Sequence, residues 1–334
     1  MLNIGIIGTG AIGRTHIRRI NEKLTGGKVV ACADANLDFC KKVAEDFGLQ
    51  AYATGEELIA SPDIQAIIVT TADDFHEQYV MAAIAAGKYV FCEKPLAPIA
   101  AACRRIMDAE MATGKHLVQV GFTRRYDAGY RLLKEAIQNR TYGEPLMLHC
   151  AHRNPSVAPT YDTPMAVVST MIHEIDVIRW LLGEEYASVQ MIIPKSTRHT
   201  HETLKDPQMM ILMTKSGVYV GVEAFVVNGH CYDIRCEVCC EDAFLNLPEP
   251  PSLQVTASGQ RGIQIYTDWA ARFEEAYNTE LQEWINAYGS GRVDGPNAWD
   301  GYVAEVVADA AAQARETGNI IPIDVGEAPE FYAR

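Results

Sequence analysis

Nowhere in its 334 residues does the chain hold the run of about 18 apolar residues that a membrane-spanning helix needs. It is also short of positive charge. Lysine and arginine number 29 against 43 aspartates and glutamates, for a formal net charge of −14. That balance argues against nucleic acid or an anionic membrane as the main partner. The opening "MLNIGIIGTG" lacks a basic leader and runs straight into glycines, so it reads as a first strand and not as a secretory signal. Cysteines are present, nine of them, but without the grouping of a metal site. Cys236 and Cys239 have zinc-like spacing, yet the stretch around them looks extended, which would turn the two thiols to opposite faces, and no second pair lies nearby. The expectation is reduced, mostly buried thiols, a cytoplasmic location and no metal. Repeats and low-complexity segments are missing too.

What the chain does have is a change of texture near its middle. Up to residue 121, apolar runs rich in valine and isoleucine ("LNIGIIG", "KVVACAD", "QAYAT", "IQAIIVTT", "KYVFCE", "HLVQVG") alternate with amphipathic helical stretches, several closed by glycine. Near-continuous apolar strands separated by helices predict a parallel sheet buried on both faces, the doubly wound α/β pattern. After Phe122 come a helix, a strand ("PLMLHCAHR"), a helix carrying His173, and then consecutive strands without helices. In "VYVGVEAFV" the small apolar Val218, Val220, Val222 and Ala224 alternate with Tyr219, Glu223 and Phe225, the period-two signature of a strand with two different faces. Two long helices, near 268–290 and 296–316, close the chain. The second half therefore reads as α+β around a large open antiparallel sheet, one face on helices and the other a plausible oligomer surface.

The chemistry begins at "IGIIGTGAIGRTH", where Gly8, Gly10 and Gly13 fall in G-x-G-x-x-G spacing between a strand and a helix. Gly8 would make the tight turn, Gly10 would let the backbone approach a pyrophosphate, and Gly13 would allow close helix–strand packing. The helix start at Ala11 and Ile12 would offer its N–H groups to the phosphates. A second strand ends at Asp34, placed to accept hydrogen bonds from ribose hydroxyls and to repel a 2′-phosphate. Ala35 and Asn36 bring no cation to hold one, so NAD is favoured over NADP. Lys94, in "FCEKPLA", stands at the C-terminal edge of the fifth strand, where open α/β sheets bind ligands. Thr71, His76 and Glu93 are placed beside the same cofactor, with a capping or surface role an open alternative for His76. Lys115 and His116 read as solvating a helix–strand turn.

The glycine fingerprint, "EKP" at 93–95 and "HEID" at 173–176 together resemble the Gfo/Idh/MocA-type oxidoreductase family. The likeness runs the whole chain and is strongest to inositol dehydrogenase members, through "VGFTRRYD", "GEPLMLHCAHRNP", "SVQMIIPK", "GPNAWDGY" and "PEFY". It implies a Rossmann NAD-binding domain, 1–121, and a substrate-binding and oligomerisation domain, 122–334, usually assembled as a homotetramer. It also implies oxidation of a ring secondary alcohol of a cyclic polyol. Carried over residue by residue, Lys94 matches a lysine beside the reacting hydroxyl and His173 the histidine that takes its proton. Arg124, Asn154 and Tyr232 match positions that contact the polyol.

Those choices make chemical sense unaided. A hydride leaves an alcohol carbon readily only if the O–H proton leaves too, which a neutral imidazole can accept and a nearby ammonium can assist. Three positions depart from the pattern. Ser169 stands where the family has aspartate one turn before the histidine, Thr123 where it has methionine beside the substrate, and Ala72 where tryptophan is expected. Asp176 is not a replacement for the missing carboxylate, because the family keeps both. Of the adjacent Arg124 and Arg125, only one is expected to face the substrate. These departures keep two other readings open, a dehydrogenase of another cyclic polyol (a sugar or glycoside) and an NAD-binding protein with little catalysis.

Overall fold

In the computed structural model, which describes residues 1–333, the chain divides into two compact units. The first comprises residues 1–122, 277–305 and 326 onward; the second comprises 123–276 and 306–325. One division falls at 122/123, near the expected boundary, and two more fall inside C-terminal helices, so residues 277–305 group with the first unit.

The first unit is built on β1 (Leu2–Ile7), β2 (Gly27–Ala33), β3 (Gln50–Ala51), β4 (Ala66–Val69), β5 (Tyr89–Glu93) and β6 (Val118–Gly121). All pairings are parallel, in the order β3-β2-β1-β4-β5-β6. Helices α1 (Ala11–Glu22), α2 (Leu37–Phe47), α3 (Gly55–Ala60), α4 (His76–Ala85) and α5 (Ala100–Thr113) make the crossovers. Parallel neighbours require such crossovers, and the chain reverses its direction of travel between β1 and β4. That reversal opens a crevice at the carboxyl ends of the strands.

The core explains the unit's boundary. Ile4, Ile6, Val29, Ile68 and Phe91 from the sheet pack with Leu281, Trp284 and Ile285 of α9 (Glu274–Ala287). Trp284 is fully buried and stacks on Tyr89, their ring centroids 5.1 Å apart and planes 9° from parallel. Val120 donates its N–H to Pro296. The C-terminal Tyr332 donates to Glu110 Oε2 at 2.5 Å, and Phe331 stacks on His116 at 4.0 Å. His116 thus serves as a docking surface for the tail, not merely as a solvated turn residue.

The second unit centres on a seven-stranded sheet in the order β12-β11-β7-β10-β9-β8-β15. Its strands are β7 (Pro145–Arg153), β8 (Tyr186–Ile192), β9 (Gln208–Thr214), β10 (Tyr219–Phe225), β11 (Asp233–Cys240), β12 (Phe244–Asn246) and β15 (Ile321–Pro322). The unit also holds α6 (Ala128–Gln138), a β-hairpin, β13 (Gln254–Ala257) with β14 (Gln260–Ile263), and α8 (Trp269–Arg272). The sheet is mixed rather than purely antiparallel, because β10 runs parallel to β7. The 65 residues between Arg153 and Tyr219 hold α7 (Ile172–Leu182), β8 and β9, ample for the crossover that a parallel pair needs. In β10, Val220, Val222 and Ala224 are fully buried while Tyr219, Glu223 and Phe225 stay half-exposed, as the alternation predicted. Cys236 and Cys239 both lie in β11, as the extended reading required.

The C-terminal helices end as α9 and α10 (Ala298–Thr317), the former separated from α8 at Phe273. No helix among the described residues is long and apolar enough to cross a membrane. Because Trp284 is the largest fully buried side chain among the described residues, Trp284→Ala should cost about 3–5 kcal/mol in denaturant unfolding of the first unit. A fragment ending at residue 122 should not fold cooperatively, since its sheet would lose that cover.

Candidate active site

In the first unit the crevice is lined by the glycine turn. Gly8 has φ +97°, and a Cβ there would meet the Thr70 carbonyl oxygen at 2.5 Å. Its N–H donates to Ala33 and its carbonyl accepts from the Thr70 hydroxyl at 2.6 Å, tying β1 to both neighbours at the reversal point. A Cβ on Gly13 would stand 2.1 Å from the Gly8 carbonyl, so α1 can approach the turn only if that residue is glycine. Gly10, the N-cap of α1, is exposed, and a Cβ there would meet nothing within 4 Å. That open space, in front of the helix N-terminus at Ala11 and Ile12, is the cradle a pyrophosphate fits. Asp34 stands just beyond β2. Its Oδ2 accepts from the Thr9 N–H at 2.7 Å and the Thr9 hydroxyl at 2.8 Å, and its Oδ1 from the Asn36 N–H. Thr9 fills the lone pairs of Oδ2, while Oδ1 keeps one for a ribose hydroxyl.

Further along the same edge, Thr71 follows β4 and its buried hydroxyl has no hydrogen-bond partner among the described residues. Lys94 follows β5, half-buried. Glu93 and His76, expected beside the cofactor, are each engaged in hydrogen bonds within the first unit. The Glu93 carboxylate is buried and accepts from His16 Nε2 at 2.7 Å. Burial works against its ionisation, but the hydrogen bond from His16, with the nearby Lys94 charge, outweighs that and holds the carboxyl below its usual range. His76 is buried, with Nδ1 2.6 Å from the Pro95 carbonyl and Nε2 3.2 Å from that of Thr71; with one N–H to give, its ring donates at the shorter contact and ties the start of α4 to the loop after β5.

In the second unit His173 lies at the start of α7, preceded by one π-helical stretch, Ala166–Met171, instead of the continuous α-helix expected. Here the Ile172 N–H reaches the Val167 carbonyl five residues back. Tyr161 holds the widened turn: its hydroxyl donates to the Met165 carbonyl at 2.8 Å and accepts from Thr170 at 2.6 Å. Ser169, half-buried, sits on this stretch one wide turn before His173. Such π-turns recur at functional sites. Asp176 is engaged elsewhere, as Arg125 donates to both of its oxygens in a buried bidentate pair. Arg125 is thereby the arginine withdrawn into structure.

Arg124 faces a different cluster. It is buried, donates through Nη1 to Glu174 and through Nη2 to His152 Nδ1 at 2.9 Å, and lies over the Phe273 ring. His152 Nδ1 is also 3.1 Å from Glu174 Oε2. Those two contacts require opposite protonation of one nitrogen. Since a guanidinium can only donate, Nδ1 is the acceptor and Nε2 carries the proton. The His152 ring lies 6.1 Å from that of His173 and 5.8 Å from that of Tyr232. Burial raises the pKa of Tyr232, against the lowering effect of Arg124, so its hydroxyl stays protonated.

Arg124, His173 and Tyr232 are therefore gathered around His152. Thr123 adjoins Arg124 with a buried hydroxyl that has no hydrogen-bond partner among the described residues. Asn154 follows β7, its carbonyl accepting from Asn228. Sequence reasoning passed over His152 and Glu174. Strand parity could have found the first, because His152 and Asn154 are two apart and share a face. Only adjacency to His173 points to the second.

Two substitutions separate the glycine roles. Gly13→Ala should lower stability by about 1–3 kcal/mol or more in thermal unfolding, because backbone must move. Gly10→Ala should leave stability within about 1 kcal/mol yet weaken dinucleotide binding measured by calorimetry.

Comparison with known proteins agrees with this geometry. Residues 2–122 match the model of the oxidoreductase family described as an NAD-binding Rossmann fold, and residues 134–325 match the α/β C-terminal domain of the same family. The chain is 53% identical over 334 residues to a protein of Agrobacterium fabrum named inositol 2-dehydrogenase, covering 99% of each. It is 52% identical, with the same coverage, to one of that name from Azotobacter vinelandii. Among solved structures, myo-inositol dehydrogenase of Lactobacillus casei in complex with NAD(H) and myo-inositol superposes with a TM-score of 0.97 at 38% identity, covering 100% of both chains. With a glycine turn, an aspartate after β2 and both halves matched in order, this chain belongs to the Gfo/Idh/MocA family of NAD-dependent oxidoreductases.

Proposed function

We propose that this protein oxidises a ring secondary alcohol of inositol, myo-inositol or a close isomer, to the keto-inositol with NAD. The observation that carries this reading is the full-length match to a relative solved with NAD(H) and myo-inositol. A buried cluster of Arg124, His152 and Tyr232, with half-buried His173 beside it, supports it, since a polyol needs many donors and acceptors at once.

When bound, NAD supplies the acceptor for the hydride that leaves the alcohol carbon. The chain's own residues do the rest. Gly8, Gly10 and the first turn of α1 hold the pyrophosphate, and Asp34 the adenosine ribose. The His173 imidazole takes the hydroxyl proton, and the Lys94 ammonium stabilises negative charge as it develops on that oxygen. Thr123, Arg124, Asn154, Ser169 and Tyr232 orient the ring. Nine free cysteines, eight of them buried, favour the cytoplasm. The half-exposed face of the second sheet, with Met209, Ile211 and Met213, suits assembly into a homotetramer.

Ser169 motivates a second reading, a dehydrogenase of another cyclic polyol, because the charge that would steady an imidazolium is absent from that position. A substrate panel read by NADH absorbance decides between them. Inositol should be oxidised faster than any glucoside, and the reverse order would overturn the proposal. Lys94→Ala and His173→Ala should each cut kcat about 100-fold or more while NAD affinity stays nearly intact. Ser169→Asp should raise kcat, and no gain would show that His173 acts without an acidic partner.

A further inference from the structure

Lys94 is flanked by two residues that are each fastened to a different buried histidine. On one side Glu93 accepts from His16 Nε2 at 2.7 Å. His16 is completely buried, and its Nδ1 accepts from Arg19 Nη1 at 3.0 Å, which leaves the proton on Nε2, aimed at the carboxylate. Arg19 is itself fixed: its Nε donates to Asn278 Oδ1 at 2.9 Å, and its guanidinium lies 5.0 Å from the centre of the Tyr277 ring. Burial lowers the His16 pKa more than Glu93 raises it, so the ring is neutral and its tautomer is set. The opposite strand makes room. Gly121 pairs with Glu93, and a Cβ there would crowd Glu93 Oε2 at 3.0 Å.

On the other side, the Pro95 carbonyl accepts from His76 Nδ1 at 2.6 Å. The far nitrogen of that ring faces the Thr71 carbonyl at 3.2 Å. The bond to Pro95 is the second brace, linking the loop after β5 to the start of α4. Neither histidine touches Lys94 in any of the hydrogen bonds described, yet together they fix the residue before it and the residue after it.

We infer that His16 and His76 are a pair of positioning residues that set the place of the Lys94 ammonium, acting through Glu93 and through the Pro95 carbonyl. The inference rests on the proposed role of Lys94 at the substrate hydroxyl. A displacement of about 1 Å in such a group can cost 100-fold in rate, so a lysine on a loop edge needs such anchoring.

The two ring nitrogens used differ, and that makes the inference sharply testable. A glutamine amide nitrogen stands near where histidine carries Nε2, and an asparagine amide nitrogen near where it carries Nδ1. His16→Gln and His76→Asn keep the needed donor, whereas His16→Asn and His76→Gln misplace it. All four are compared with His16→Ala and His76→Ala. The alanine and misplaced-donor variants should lose about tenfold or more in kcat on inositol, with KM for NAD changed less than about twofold. The matched-donor variants should recover most of the loss.

An independent readout uses the protein without cofactor or substrate. After reductive ¹³C-methylation, the Lys94 resonance, assigned by its absence in Lys94→Ala, should shift in the misplaced-donor variants and stay in place in the matched ones. That signal separates this inference from the functional reading, because it reports on Lys94 even if no polyol is turned over. Equal behaviour of all four amide variants, or an unmoved Lys94 resonance throughout, would overturn it. Should the alanine variants fail to fold, the amide comparison still decides.

Discussion

A carboxylate buried without a counter-charge or donors costs several kcal/mol, and this chain buries one next to each of the two side chains assigned to the reaction. Glu93 precedes Lys94, and Glu174 follows His173. Each is held by a charged or polar network reaching well away in sequence: His16, Arg19 and Asn278 for the first, and for the second Arg124, which also donates to His152. Removing one partner from such a group leaves an uncompensated charge in the interior, typically a loss of about 3–5 kcal/mol. The networks therefore restrict what the neighbouring sequence can be. They also tie down the backbone beside Lys94 and beside His173, the two side chains proposed to react, as catalysis by positioning requires.

The same constraint accounts for the arginines. Arg124 and Arg125 are adjacent, both buried, and each is matched to its own acid from α7 or the residues that begin it, Glu174 and Asp176. Arg125 is consumed in a bidentate pair, and Arg124 divides its donors between an acid and an imidazole. Asp176 is spent on Arg125, so its carboxylate is not a substitute for the acid that Ser169 replaces. Across the described residues, the buried charges nearest the proposed chemistry are compensated within their own unit.

Much of this was legible in the sequence because it rests on local periodicity. The parallel sheet follows from apolar runs separated by helices, and β10 shows its two faces by alternation alone. The glycine turn was legible to the residue: Gly8 and Gly13 are needed for close backbone approach, and Gly10 opens space. What escaped depends on partners distant in the chain. The pattern of α9 shows that it buries a face but not that Trp284 lies on Tyr89, so that helix's place in the first unit was not legible. Alternation is the same in parallel and antiparallel strands, which hid the β7–β10 pairing. The π-helical stretch before His173 hangs on the Tyr161 hydroxyl, for which no sequence spacing gives a sign. His16 looked like one polar residue on an amphipathic helix, and only the fold reveals the carboxylate it meets.

The central claim is that Lys94 and His173 act on one hydroxyl of a cyclic polyol. The most direct test is a crystal structure with NAD and myo-inositol both bound. The account predicts that Lys94 Nζ and an imidazole nitrogen of His173 both lie within about 3.2 Å of a single ring hydroxyl oxygen, its carbon facing nicotinamide C4. A polyol bound with either group turned away from that oxygen would contradict it.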